Sequence, residues 1–211
     1  MENRGAGRPV VPVVRPVVAG DVPALAAMLV RSFADDPVAN FMFAGDRRRR
    51  LGLHSFFTAQ LRRQYLPAGH VYATGGLGGV ALWGPPDRVR RPQAELAHLL
   101  PTAPFLVSSR VHRALRLLFE VDGLHPKEPH WYLATLGTEP SQQGKGIGSA
   151  LLASMLATVD EEGFPAYLES SKERNLPLYA RFGFEVIDEF RSKVGSPPIW
   201  RMWREPRVPD L

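Results

Sequence analysis

The run Gln143-Gly144-Lys145-Gly146-Ile147-Gly148, followed by Ser149, sets three glycines and a lysine directly before an apolar helical pattern. The first turn of a helix carries unpaired N–H groups and the positive end of the backbone dipole, so it attracts anions. Glycines let the backbone approach a phosphate without Cβ clashes. Lys145 adds positive charge, and a diphosphate is the guest that suits the run. The phosphate loop of NTPases needs four residues between its first glycine and Gly-Lys, then Ser or Thr. Here six residues separate Gly137 from Gly144, and Gly146 follows Lys145. The dinucleotide fingerprint fails as well, because Gly144-x-Gly146 would need Gly at 149, where Ser149 stands. The spacing that fits is Q/R-x-x-G-x-G/A.

Such a loop must be held by the elements around it. Trp131–Thr138 reads as a strand before it and Ile147–Glu162 as a helix after it, with Leu151, Leu152, Met155, Leu156 and Val159 on one stripe. Upstream, Val10–Pro16 reads as a first strand, and Val22 to Phe33 as a helix behind the cap Asp21. Asp35-Asp36-Pro37 is expected to end that helix and begin a loop. Asp46–Leu66 is helical. Val71–Thr74 and Gly79–Trp83 form a hairpin, and Pro92–Leu100 and Phe105–Phe119 are helical. A turn is expected over Pro126 to Pro129. Downstream come a strand over Pro165–Ser170 and a short helix over Asn175–Phe182 stopped by Gly183. A closing strand pair, Phe184–Val194 and Ile199–Arg204, follows. The pattern is a mixed α/β domain. It is expected to span 10–206, with tails over 1–9 and 207–211.

Composition narrows the chemistry. The chain has 211 residues, 45% of them hydrophobic, enough for a sizeable core in one domain. It has no cysteine, which excludes disulfides, zinc–thiolate sites and a cysteine nucleophile. No metal is expected. The net charge of +5 comes from 26 basic and 21 acidic residues, and the one dense basic run, Arg47–Arg50, opens a helical pattern. We read it as a solvated face rather than a nucleic-acid surface. No secretory leader and no apolar run of membrane-spanning length are seen, so the expected location is the cytoplasm. A monomer or a homodimer is compatible with this pattern.

The loop resembles the acyl-CoA loop of the GNAT superfamily of N-acetyltransferases. Trp131–Thr138 resembles that family's central strand, and Asn175-Leu176-Pro177-Leu178-Tyr179 through Phe184 resembles its N-x-x-x-Y-x-x-x-G-F segment. Pro126-Lys127-Glu128-Pro129, Leu168-Glu169-Ser170-Ser171 and Arg174-Asn175-Leu176-Pro177 are similar to puromycin N-acetyltransferase-like bacterial enzymes. The likeness is dense over 126–184 and thin before residue 120.

The resemblance implies a mostly antiparallel sheet with a splayed central strand pair, flanked by helices. It implies acetyl-CoA as co-substrate, held by Leu136, Gly137 and Thr138, by Gln143 through Ser149, and by Asn175 and Tyr179. It implies transfer of an acetyl group to a primary amine by direct attack in a ternary complex. A small-molecule amine is the leading acceptor; a protein lysine or N-terminus, or a non-catalytic acyl-CoA sensor, are the alternatives. Thioester aminolysis needs a proton for the leaving thiolate and an acceptor for the amine's proton. Tyr179 is the candidate acid. Glu169, at a strand end beside the expected acyl site, is the candidate base or a substrate-orienting group. His130 is the second candidate base. Phe33, Asp35, Asp36, Trp83 and His130 are candidates for the acceptor pocket. Asp35 and Asp36 read equally as an ordinary helix-ending turn.

Overall fold

The computed structural model describes residues 12–86 and 111–207. Seven strands form one sheet: β1 (Val14–Pro16), β2 (Val71–Thr74), β3 (Gly79–Gly84), β4 (Trp131–Thr138), β5 (Ala166–Ser170), β6 (Glu185–Phe190) and β7 (Ile199–Arg204). Their order is β1-β2-β3-β4-β5-β7-β6. Every pairing is antiparallel except β4 with β5.

Helices cover both faces, giving three layers. On one face lie α1 (Val22–Ser32), α2 (Pro37–Met42), α3 (Asp46–Ala59) and α4 (Val111–Leu124). Leu25, Leu29, Phe57 and Leu61 pack there against Val80 and Leu82. On the other face α5 (Ile147–Glu162) and the short α6 (Leu176–Arg181) close a second core. Leu151, Leu152, Met155 and Val159 pack there with Trp83, Trp131 and Leu168. Each such fully buried side chain is worth about 2 kcal/mol. That burial anchors α5 although its first turn has unpaired amides.

Two irregularities open the sheet where the loop sits. The β3–β4 register pairs Leu82 with Thr135 but Trp83 with Leu133, so Ala134 is a bulge. The extra residue inverts the alternation. Trp131 and Leu133 face α5, and past the bulge so does Leu136. Thr135 instead hydrogen-bonds Gln60 on the opposite face. Gly137 lies against α1, where a Cβ would stand 2.4 Å from Leu29 Cδ2. The second irregularity is the parallel pairing of β4 with β5. It covers only Trp131, Tyr132 and Leu133. Beyond Leu133 the two strands part, and the β5-side edge of β4 is left open.

The elements differ from the sequence reading at identifiable points. Pro37 starts α2 rather than a loop, because Asp36 accepts a hydrogen bond from Ala39 N at 2.9 Å and caps it. The helix beginning at Asp46 changes to π-helical hydrogen bonding over Gln60–Tyr65 before Pro67 ends it. The strand expected over Phe184–Val194 stops at Phe190. The expected helix over Phe105–Phe119 is seen from Val111 and runs on to Leu124. The helix expected over Pro92–Leu100, the start of the first strand and the 1–9 tail fall outside the described residues.

Candidate active site

A cleft of about 560 Å³ opens where β4 and β5 part. Its walls are the open edge of β4, the loop before α5, the end of β5 and the N-terminal part of α6. Of the residues named from sequence, Leu136, Thr138, Gln143, Gly144, Gly146, Ile147, Gly148, Ser149, Glu169, Asn175, Tyr179, Phe33 and Asp36 line it. Gly137, Lys145, Asp35, Trp83 and His130 do not.

The loop has the geometry of an anion cradle. Gly144 and Gly146 have φ of +76° and +82°, a region that side chains rarely adopt. No atom lies within 4 Å of where either Cβ would stand, so the space beside the loop is open. Ala150 is the first residue of α5 whose amide reaches back to a loop carbonyl, that of Gly146. The amides of Ile147, Gly148 and Ser149 are therefore the unpaired donors of the helix start. Gln143 braces the loop by donating from Nε2 to Thr138 O at 3.3 Å. Lys145 points elsewhere and donates to Ser141 O at 3.0 Å. Lys172, Arg174 and Arg181 add positive charge to the cleft wall. Open glycine positions, free amides and cationic walls fit a pyrophosphate.

The β4 edge supplies further donors. Glu139 N donates to Gly78 O on the β3 side. By strand alternation the amides of Leu136 and Thr138 point the other way, toward the cleft. The Thr138 amide is already taken, since it donates to Ser32 Oγ at 3.2 Å. Of these two amides, that of Leu136 is the one left facing the cleft. Gly137 serves by its missing Cβ, letting β4 sit close beneath α1.

Tyr179, on α6, is 7% exposed and packs edge-on against Phe184 with ring centroids 6.2 Å apart. Among the described residues its hydroxyl finds no hydrogen-bond partner. Burial pushes its pKa up to about 12, so the phenol holds its proton across the neutral range.

Glu169 sits at the end of β5 under opposite conditions. Tyr132 donates to its Oε2 at 2.8 Å and Tyr167 to its Oε1 at 2.9 Å. Arg201 donates from Nε to the Tyr167 hydroxyl at 3.2 Å. Burial, with the Glu169 charge beside it, pushes the Tyr167 phenol far above its ordinary value. Tyr167 thus stays a donor and holds the carboxylate in place.

The acceptor-side residues proposed from sequence divide. Phe33 reaches the cleft. Asp36 does too, but both its oxygens are occupied: one caps α2 and the other accepts from Ser171. Asp35 lies outside the cleft, paired with Lys172 at 2.5 Å and Arg174 at 2.7 Å. Burial pushes the Asp35 carboxyl up, but Lys172 and Arg174 together outweigh it and hold it below the ordinary range. Neither aspartate has an oxygen aimed at an incoming amine. Trp83 is a correction: it is fully buried in the α5-side core, because the β3 face it occupies is covered by that helix. His130 is buried beside Tyr167 and Trp203, outside the cleft lining.

Sequence reasoning missed Ser32, Tyr132, Tyr167 and His125. The signal for two of them was present. Tyr167 and Glu169 are two residues apart on one strand and so share a face. The parallel register then sets Tyr132 beside Tyr167.

Comparison with known proteins gives a consistent picture. The Acetyltransferase (GNAT) family model matches residues 111–184. A solved Corynebacterium glutamicum structure, described as histone acetyltransferase HPA2 and related acetyltransferase, is 30% identical, with a TM-score of 0.70. The match covers 96% of this chain and 100% of that one. An uncharacterized N-acetyltransferase of Schizosaccharomyces pombe is 29% identical over 178 residues, 80% of this chain and 72% of that protein. The Drosophila melanogaster polyamine N acetyltransferase shares the fold at 16% identity, with a TM-score of 0.62 over 90% of this chain and 97% of that one. Among the described residues no cluster of His, Cys, Asp or Glu is placed to hold a metal ion. No described helix is long and apolar enough to cross a membrane.

Proposed function

This chain belongs to the acetyltransferase (GNAT) family and is an acetyl-CoA-dependent N-acetyltransferase, and on that premise we propose that it acetylates a primary amine of a small molecule. The observation that carries the proposal is the acceptor end of the cleft. There a carboxylate, Glu169, is fixed by two phenols at 2.8 and 2.9 Å. It lines the same cleft as the protonated phenol of Tyr179. A fixed negative charge attracts a cationic amine and can take its proton.

In this reading the Ile147, Gly148 and Ser149 amides bind the pyrophosphate of acetyl-CoA, and Asn175 and the open β4 edge bind the pantetheine arm. Leu136 N–H stabilises the developing oxyanion. Tyr179 donates its proton to the departing thiolate. Glu169 removes the amine's proton, and the amine attacks the thioester directly with both substrates bound. Polyamines, the acceptor class that names one protein of the same fold, are among the small amines worth testing. The motif resemblance to puromycin N-acetyltransferase-like enzymes adds aminonucleosides to the acceptors worth testing.

A second reading, a protein or peptide amine as acceptor, draws support from the full-length match whose description names a histone acetyltransferase. The two separate in one assay: thiol release from acetyl-CoA over polyamines, aminonucleosides, hydrazides and lysine peptides. Turnover of peptides alone would overturn the small-molecule reading.

A further inference from the structure

Two histidines stand in line with Glu169. His125, directly after α4, places Nδ1 3.7 Å from Glu169 Oε1. Its Nε2 lies 3.1 Å from His130 Nε2, and His130 Nδ1 lies 2.6 Å from the carbonyl oxygen of Glu128. Both histidines are buried. The His125 ring lies nearly perpendicular to those of Tyr132 and Tyr167, with centroids 4.8 and 5.0 Å away.

The chemistry of each atom fixes the protons along this line. A carbonyl oxygen only accepts, so His130 Nδ1 carries a proton. Neutral His130 then offers Nε2 as an acceptor, and His125 Nε2 is the donor between the rings. Neutral His125 is left with a bare Nδ1, and that atom has no hydrogen-bond partner at 3.5 Å or less. It faces a carboxylate oxygen, lone pair to lone pair. One added proton turns this contact into an imidazolium–carboxylate pair. Tyr132 and Tyr167 meet Glu169 as donors, with Arg201 behind Tyr167. Of these neighbours, His125 is the one able to receive a proton from the carboxylate.

We propose that His125, with its tautomer set by His130, is the proton reservoir of Glu169, a carboxylate that Tyr132 and Tyr167 hold in place. The inference rests on Glu169 acting as the base. The acceptor enters as R–NH3+. Its first proton passes through Glu169 to His125 Nδ1. The neutral nitrogen forms the C–N bond to the acetyl carbon while the C–S bond breaks. Its second proton replaces the one that Tyr179 gives to the thiolate. The reservoir proton returns to water when the products leave. The sum is one amide, one thiol and one proton.

Several charged or titratable groups face His125. Glu169 and Tyr167 approach from β5, and Tyr132 from β4. Arg201 of β7 donates to the Leu124 carbonyl beside it and is paired with Asp188 of β6. His130 lies on the following loop. Asp122, on the last turn of α4, accepts from the His125 amide through its carbonyl. With the imidazole in place a proton on the carboxylate has Nδ1 to move to; with Gln at 125 that acceptor is gone.

The test is the pH profile of kcat/KM for the amine in wild type, Glu169→Gln and His125→Gln, with acetyl-CoA affinity measured alongside. Glu169→Gln is expected to lower kcat/KM at least 100-fold. His125→Gln is expected to keep acetyl-CoA affinity while its acid limb moves to lower pH by at least one unit. An unmoved limb in His125→Gln, with Glu169→Gln still impaired, overturns the reservoir and leaves the base standing. A Glu169→Gln enzyme at the wild-type rate overturns both. Imidazole 15N NMR of the wild-type protein gives an independent reading that needs no variant to fold. Neutral His125 is expected as the Nε2–H tautomer and His130 as the Nδ1–H tautomer. A His125 seen as Nδ1–H refutes the proposal.

Discussion

Replacing Tyr179 with Phe removes one oxygen atom, and the structure separates what that atom does for catalysis from what it does for stability. The hydroxyl has no partner among the described residues, so its loss leaves no donor or acceptor stranded. The usual penalty of about 1–3 kcal/mol for an orphaned buried group therefore does not arise. The ring stays, and with it the contact to Phe184. Stability should change by less than about 0.5 kcal/mol, a Tm shift of about 1–2 °C for a chain of this size. Catalysis should behave differently. A positioned general acid contributes about 10²–10⁴ in rate, and even a tenfold loss is about 1.4 kcal/mol of barrier.

We expect kcat at least tenfold lower, with calorimetric acetyl-CoA affinity within about twofold of wild type. The pH dependence gives a second check. Burial raises the phenol from 10.0 to about 12. Between those values the folded state binds more protons than the unfolded state, so this contribution to stability is whole below pH 10 and is lost as pH rises toward 12. For the same reason Tyr179 should impose no alkaline limb on the rate between pH 8 and 10. Unchanged kcat in Tyr179→Phe refutes the acid. A limb near pH 10 that disappears in the variant refutes the burial argument.

Three further outcomes follow from named contacts. At Gly146, φ of +82° with open space around the missing Cβ means that Ala costs backbone strain alone, about 1–2 kcal/mol by urea denaturation. Gly146→Trp fills the open space and should abolish acetyl-CoA binding; a normal calorimetric affinity contradicts the cradle. Asp36→Ala should lose about 1 kcal/mol with the α2 cap, whereas Asp35→Asn, at a carboxylate 57% exposed, should stay within about 0.5 kcal/mol; the reverse order contradicts the assignment. Asp160 accepts both Arg204 nitrogens at 2.7 Å, and Arg204 is buried. Burial pushes the Asp160 carboxyl up, but Arg204 and Arg207 outweigh it and lower its pKa. The resulting stability is present at neutral pH and is lost as pH falls from about 4 through the folded value. Asp160→Asn should cost about 3 kcal/mol at pH 7 and progressively less below pH 4; a pH-independent gap in urea denaturation contradicts this.

The loop and the elements that hold it were legible in the sequence because their signals are local. The glycine spacing of the 143–148 loop, the apolar stripe of α5 and the β-rich run Trp131–Thr138 each lie within a dozen or so residues, and all three elements form where expected. The acceptor half depends on contacts far apart in the chain. Asp35 and Asp36 read as open carboxylates until β5 brings Lys172, Arg174 and Ser171 against them. Trp83 looked available because nothing in its own strand shows that α5 covers that face. The Ala134 bulge carries no turn or glycine signal at its own position in the run Trp131–Thr138, yet it decides which side chains face the cleft. Pro37 misled for a different reason: proline stops a helix from inside but starts one at its first turn, and Asp36 made it a start.

The central claim is that this chain joins acetyl-CoA to a small amine at the β4–β5 cleft with both substrates bound. Initial rates of thiol release, measured with both substrates varied over the amine and peptide panel, test it most directly. We predict turnover with at least one small primary amine, with double-reciprocal lines that intersect and a rate that falls at least tenfold in Tyr179→Phe. Parallel lines, or thiol release that needs a peptide acceptor, contradict it.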